Sequence, residues 1–249
     1  MKAYKIECQG EIHEIGIDRD GGVHLLNHDI EEEETLCLLG EKPSECFRIV
    51  HSSGEVLVEA IAARDIGIVD LAMAVGADLG EKCGMDMFGA RRVHPLTLAA
   101  SKGFVDIVSM LLQAGANPKA DDSCALRLAA EGLNGPGIDE LDHAGVVRLL
   151  LEAGADVDAC GGQALTNAVK FDNREIVKVL INAGAEIDIS SGTALAVAAQ
   201  MRRTDVVRML LEQGVNPANI KAACDWAQGC SEIISMLEDA LNATQTEEA

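Results

Sequence analysis

Seven residues capable of metal or thiol chemistry crowd the start of the chain: Cys8, His13, His24, His28, Cys37, Cys46 and His51. Imidazole and thiolate are the ligands zinc and iron prefer, and an exposed thiolate is what oxidants attack, so metal ligation or redox sensing is the first chemistry to test. The spacing does not favour it. None of the eight cysteines forms a Cys-x-x-Cys pair, and His24 and His28, though four residues apart, follow a predicted strand, not a helix face. A structural role is expected for this cluster, with a metal- or thiol-responsive sensor as the alternative, and no cofactor is implied. The chain has no Gly-rich phosphate loop, His-Glu-x-x-His or Gly-x-Ser-x-Gly, and the glycines of 18–22 lack the lysine and following helix of a nucleotide loop. No catalytic residue is expected.

Charge narrows the partners. With 41 acidic against 20 basic residues and a formal net charge of -21, the chain repels nucleic acid and anionic membrane surfaces. Direct nucleic-acid binding is not expected. The run Glu31 to Glu34 reads as a helix start favoured by the dipole, or as part of an acidic surface imitating a nucleic acid. The scattered cysteines, the lack of an apolar signal core near Met1 and the lack of a long apolar run point to a soluble, cytoplasmic protein.

The elements that must position any site are repeated. Met110–Asn117, Leu149–Asp156 and Val179–Glu186 share an apolar run followed by glycine, a small residue and a polar one; Met209–Asn216 and Leu71–Asp78 are further copies. Glycine ends a helix because it adopts the left-handed conformation without a Cβ clash. Upstream of four of these glycines lies a second block, at Pro95–Ala100, Ala125–Ala130, Ala164–Val169 and Ala194–Ala199, with apolar residues at three- and four-residue spacing. The unit is therefore short helix, tight turn, longer helix, glycine stop and loop. Hydrophobic residues make up 48% of the chain but aromatics only 2%, so Ala, Leu, Val and Ile must pack it, as suits thin helical layers.

These two blocks, in this order and phase, resemble the ankyrin-repeat family over about residues 55 to 241, although Thr survives only at Thr193 and Pro only at Pro95 of the family's Thr-Pro pair. The resemblance implies a mainly α solenoid of about six helix pairs that binds another protein, of unknown identity, as a non-catalytic adaptor or inhibitor. It also implies where. Family members usually bind through the inner, short helices and the finger loops, which here places Lys102, Lys170, Phe171, Gln200, Met201 and Arg202, with Ser101 and Arg203 beside them, on an inner stripe that contains no carboxylate. Stop glycines lie about 39, 39, 30 and 30 residues apart, so the later fingers are trimmed, the first is long, and a Gly135-Pro136-Gly137 insertion bulges from one repeat. The long finger offers Met87, Phe88, Arg91 and Arg92 as a second candidate contact.

Three segments complete the expected organisation. Residues 1–53 read as a β-rich module or cap, with strands at Ala3–Cys8, Glu11–Ile17, Val23–Leu26 and Phe47–Val50, a turn at 18–22 and a helix at Ile30–Leu39. Residues 54–241 form the repeat domain, closed by a capping unit that contains Trp226. The polar residues 242–249 are expected to be a disordered tail.

Overall fold

The computed structural model describes residues 2–8, 11–17, 23–25, 48–49, 53–74, 77–82, 84–85, 92–132, 142–227 and 229–247. The turn at 18–22, the helix at Ile30–Leu39 and the Gly-Pro-Gly insertion lie outside them. The chain divides into two compact units, one of Met1–Ala99 with Asp106–Asn117 and the other of Ala100–Val105 with Pro118–Ala249.

In the first unit, β1 (Lys2–Cys8), β2 (Glu11–Ile17), β3 (Val23–Leu25) and β4 (Arg48–Ile49) form an antiparallel sheet in the order β3-β2-β1-β4. The β1–β2 register runs from Lys2 opposite Ile17 to Cys8 opposite Glu11. Helices α1 (Ser53–Ala63) and α2 (Ile66–Ala74) pack on each other. A two-stranded ribbon, β5 (Gly84–Met85) with β6 (Arg92–Val93), stands where the long finger was expected. Helix α3 (Pro95–Ser101), whose last two residues belong to the second unit, leads to α4 (Val105–Gln113), whose first residue belongs there as well.

The second unit is a two-layer stack of helix pairs. The pairs are α5 (Ala120–Glu131) with α6 (His143–Glu152), α7 (Ala159–Lys170) with α8 (Arg174–Asn182), α9 (Ile189–Gln200) with α10 (Thr204–Leu211), and α11 (Pro217–Trp226) with α12 (Ser231–Glu247). Helices α5, α7, α9 and α11 pack side by side as the inner layer. Their buried faces repeat Ala-Leu then Ala-Ala or Ala-Val: Ala125, Leu126, Ala129 and Ala130; Ala164, Leu165, Ala168 and Val169; Ala194, Leu195, Ala198 and Ala199. One large residue among small ones lets neighbouring backbones approach closely, which answers the shortage of rings. The outer helices bury a matching trio, Val146, Val147 and Leu150, then Ile176, Val177 and Leu180, then Val206, Val207 and Leu210.

The recurrent Gly-Ala pair has a physical cause. Gly115, Gly154 and Gly184 have φ of 92°, 92° and 88°, and the following amides, of Ala116, Ala155 and Ala185, donate to the carbonyls of Leu111, Leu150 and Leu180 at 2.9–3.0 Å. This is the Schellman end of a helix, in which the residue after glycine folds back as an apolar contact; all three alanines are buried. The inner helices end the same way, but with Asp172 (φ 60°) and Arg202 (φ 57°) in the left-handed position.

The trimmed fingers become left-handed turns instead of ribbons. Asp121, Asp122 and Ser123 precede the right-handed part of α5 with φ of 51–54°, and Cys160, Gly161 and Gly162 do the same in α7 at 54–71°. A ladder joins each turn to the next: Ser123 Oγ accepts from the Asp156 amide, Asp158 Oδ1 from Glu186 and Asp188 Oδ2 from Asn216, each at 2.9 Å. Helix α12 continues to Glu247, so the residues from Asn242 to Glu247 are helical where polarity alone suggested a disordered tail. Ala, Asn, Gln and Glu lack the proline or glycine that would stop it.

A second set of bonds ties the outer helices α6 and α8 to the end of the inner helix one repeat earlier. Asn173 is buried, and its Nδ2 donates to the carbonyls of Ala130, Glu131 and Gly132 at 3.2, 2.9 and 3.3 Å. His143 holds the equivalent place one repeat earlier, where its Nε2 donates to the Ser101 carbonyl at 3.3 Å. Its Nδ1 is buried without a hydrogen bond, so a second ring proton would meet no acceptor. Burial holds the His143 pKa below its ordinary value, opposed by the Ser101 carbonyl and Asp142. Because the folded value is the lower one, burying His143 costs no stability above about pH 6.5 and costs progressively more as the unfolded imidazole takes up protons below that. His143→Asn, which copies Asn173, is expected to flatten the fall in melting temperature between about pH 7 and 5. Thermal melts of both proteins across that range check it.

Candidate functional site

The large apolar side chains exposed among the described residues are Ile66, Phe171, Met201 and Trp226. Three of them occupy one structural position. Leu165, Leu195 and Ile220 are the fully buried anchors of α7, α9 and α11, and Phe171, Met201 and Trp226 each follow their anchor by six residues. That position is the C-terminal end of the inner helix, just past its last turn in α7 and α9 and within it in α11. Since α7, α9 and α11 are neighbours in one layer, the three form a row along its edge, with exposures of 39%, 42% and 54%. Burying apolar surface is favourable, so large apolar groups left in water at equivalent positions are a feature that packing within this layer does not use.

The same count from Leu96 and Leu126 reaches Lys102, which is half-buried, and Gly132. Lys170 is exposed and its Nζ lies 5.5 Å from the centroid of the Phe171 ring. Gln200 is exposed, as is Arg202, which forms no ion pair among the described residues. Ser101 is buried with its carbonyl engaged by His143, and Arg203 is half-buried and paired with Asp172 at 3.1 Å. Arg92 is exposed in the ribbon, whereas Met87, Phe88 and Arg91 lie outside the described residues.

Two expectations need correcting. The stripe does contain carboxylates: Glu131 and Asp225 fill the positions of Lys170 in the preceding repeat and in the last pair. Asn167 donates to Glu131 Oε1 at 3.3 Å, and burial pushes the Glu131 carboxyl up, countered by Lys170 and Arg127. Trp226, read from sequence only as part of a cap, is the most exposed member of the row. Its signal was the buried anchor Ile220, which restores the register that the missing stop glycine hides.

A family model described as ankyrin repeats (3 copies) matches residues 57–159 and 138–221. The chain belongs to the ankyrin-repeat family. No curated protein matches it. Ankyrin repeats are generally protein–protein interaction modules and typically non-catalytic. In this ankyrin array, no group of three or more His, Cys, Asp or Glu among the described residues could hold a metal, and no described helix is long and apolar enough to cross a membrane. The side chains of the N-terminal Cys and His residues lie outside the described set.

Arg202 shows that the ankyrin row carries strain. A non-glycine residue in the left-handed region costs about 1 kcal/mol or more, and its side chain forms no ion pair in return. Arg202→Gly is therefore expected to raise stability by about 1 kcal/mol. Urea denaturation of the two proteins measures it, and an unchanged or lower midpoint would count against strain at this position.

Proposed function

We propose that the chain is a non-catalytic, cytoplasmic interaction module, an adaptor or inhibitor, that binds a protein partner along the row Phe171, Met201 and Trp226. Lys102, Lys170, Gln200 and Arg202 flank the row, and the long finger with Met87, Phe88, Arg91 and Arg92 is an auxiliary contact. In this reading residues 54–241 form about six helix pairs, and residues 1–53 form a β-rich cap. The observation that carries the proposal is the recurrence of a large, exposed apolar side chain at one position of three consecutive inner helices. Such residues supply the anchors of protein interfaces, where a few central side chains dominate affinity.

Affinity capture from the native lysate, with wild type and with a variant carrying Phe171→Ala, Met201→Ala and Trp226→Ala, tests it. All three positions are exposed, so the variant should melt close to the wild type while losing the protein that the wild type retains. Equal retention of the same protein by both would place the binding surface elsewhere.

A further inference from the structure

Resting on that reading of the row, we infer that its occupant is an acidic, extended segment in the polyproline II conformation that carries a large apolar side chain at every third residue.

Spacing supplies the first argument. Helices α7, α9 and α11 pack side by side, and packed helices lie about 8–10 Å apart, so equivalent side chains on successive helices recur at about that interval. A polyproline II chain has three residues per turn and rises about 3.1 Å per residue, which returns a side chain to the same face about every 9 Å. Positions i, i+3 and i+6 of such a chain match Phe171, Met201 and Trp226 in turn. A β-strand does not, because its side chains alternate and the third residue faces away. An α-helix lying along the row would need about six residues for each anchor at its 1.5 Å rise, and six residues at about 3.6 per turn carry the side chain off the starting face. Two of the three contacts are aromatic, which suits the ridged, preformed surface of a polyproline II chain.

Charge supplies the second. The chain carries twice as many acids as bases, and Arg148, Arg174 and Arg203 all pair with carboxylates. Lys170 and Arg202 adjoin the row and form no ion pair among the described residues; Lys170 lies over the Phe171 ring instead. Lys170 beside Phe171, which also acts on the half-buried Glu131, and Arg202 beside Met201 favour carboxylates on the bound segment near its first two anchors, while Asp225 beside Trp226 disfavours them at its end.

Trp226 is the single tryptophan of the chain, so its emission reports directly on occupancy of the row. The full-length protein is titrated with three synthetic nonapeptides: three Glu-Pro-Leu triplets; the same composition with leucines at every second position; and three Lys-Pro-Leu triplets. The first is expected to give a saturable blue shift of Trp226 emission and to bind at least about tenfold more tightly than either of the others. Phe171→Ala with Met201→Ala should abolish that preference. A preference below about tenfold, or no saturable shift with the first peptide, overturns the inference. Capture of a protein that still depends on the row would in that case leave the binding reading standing with a differently shaped partner, whereas capture independent of the row would remove both.

Discussion

Leu195→Ala is expected to lower the free energy of unfolding by about 2–5 kcal/mol, the range for truncating a fully buried leucine where the surroundings cannot collapse into the gap. Leu195 is completely buried in α9, which is packed between α7 and α11, so both neighbours would border the cavity. The loss should also change the form of the transition. Each pair in a stack is held mainly by its nearest neighbours, and weakening a middle pair uncouples the ends. Urea unfolding followed by far-ultraviolet circular dichroism and by Trp226 fluorescence should coincide in the wild type and separate in the variant, because Trp226 reports on the last pair. A loss below about 1 kcal/mol would mean that the inner layer is not packed as described.

Asn173→Ala is expected to cost about 2–4 kcal/mol through polar groups instead of volume. The amide of Asn173 serves three carbonyls at the end of α5, and alanine leaves them at a buried helix terminus without that donor. Asn173→His should recover much of the loss, since His143 performs the same task against Ser101 one repeat earlier. Chemical denaturation of the three proteins would show it. Equal stability of the alanine and histidine variants would contradict the role assigned to the donor.

Much of this was legible in the sequence, and the residues show where legibility ended. Gly115, Gly154 and Gly184 were readable because a left-handed helix end admits few other residues, and the alanine after each was readable as its apolar partner. Asp172 and Arg202 take the same conformation at the inner helix ends without glycine, so those ends left no compositional trace. The left-handed turn at Asp121 to Ser123 was hidden for the same reason, and so was its ladder to Asp156, which depends on partners a whole repeat away. Phe171 and Met201 were found by counting from the alanine blocks. Trp226 and Glu131 were missed because the last pair has Asn219-Ile220 where its neighbours have Ala-Leu and lacks their stop glycine, and because the Ala129-Ala130 block was not carried through to Glu131. Only the buried anchors Leu126, Leu165, Leu195 and Ile220 fix a common register for all of them.

We propose that a partner protein lies against the inner-helix ends and not against the outer layer. Site-specific photocrosslinking tests this most directly, with benzoylphenylalanine placed at Met201 on the row or at Lys178, an exposed position of outer helix α8. Irradiation in the presence of the captured partner should give a covalent adduct from position 201 and none from position 178. Adduct formation from position 178 alone would contradict the account.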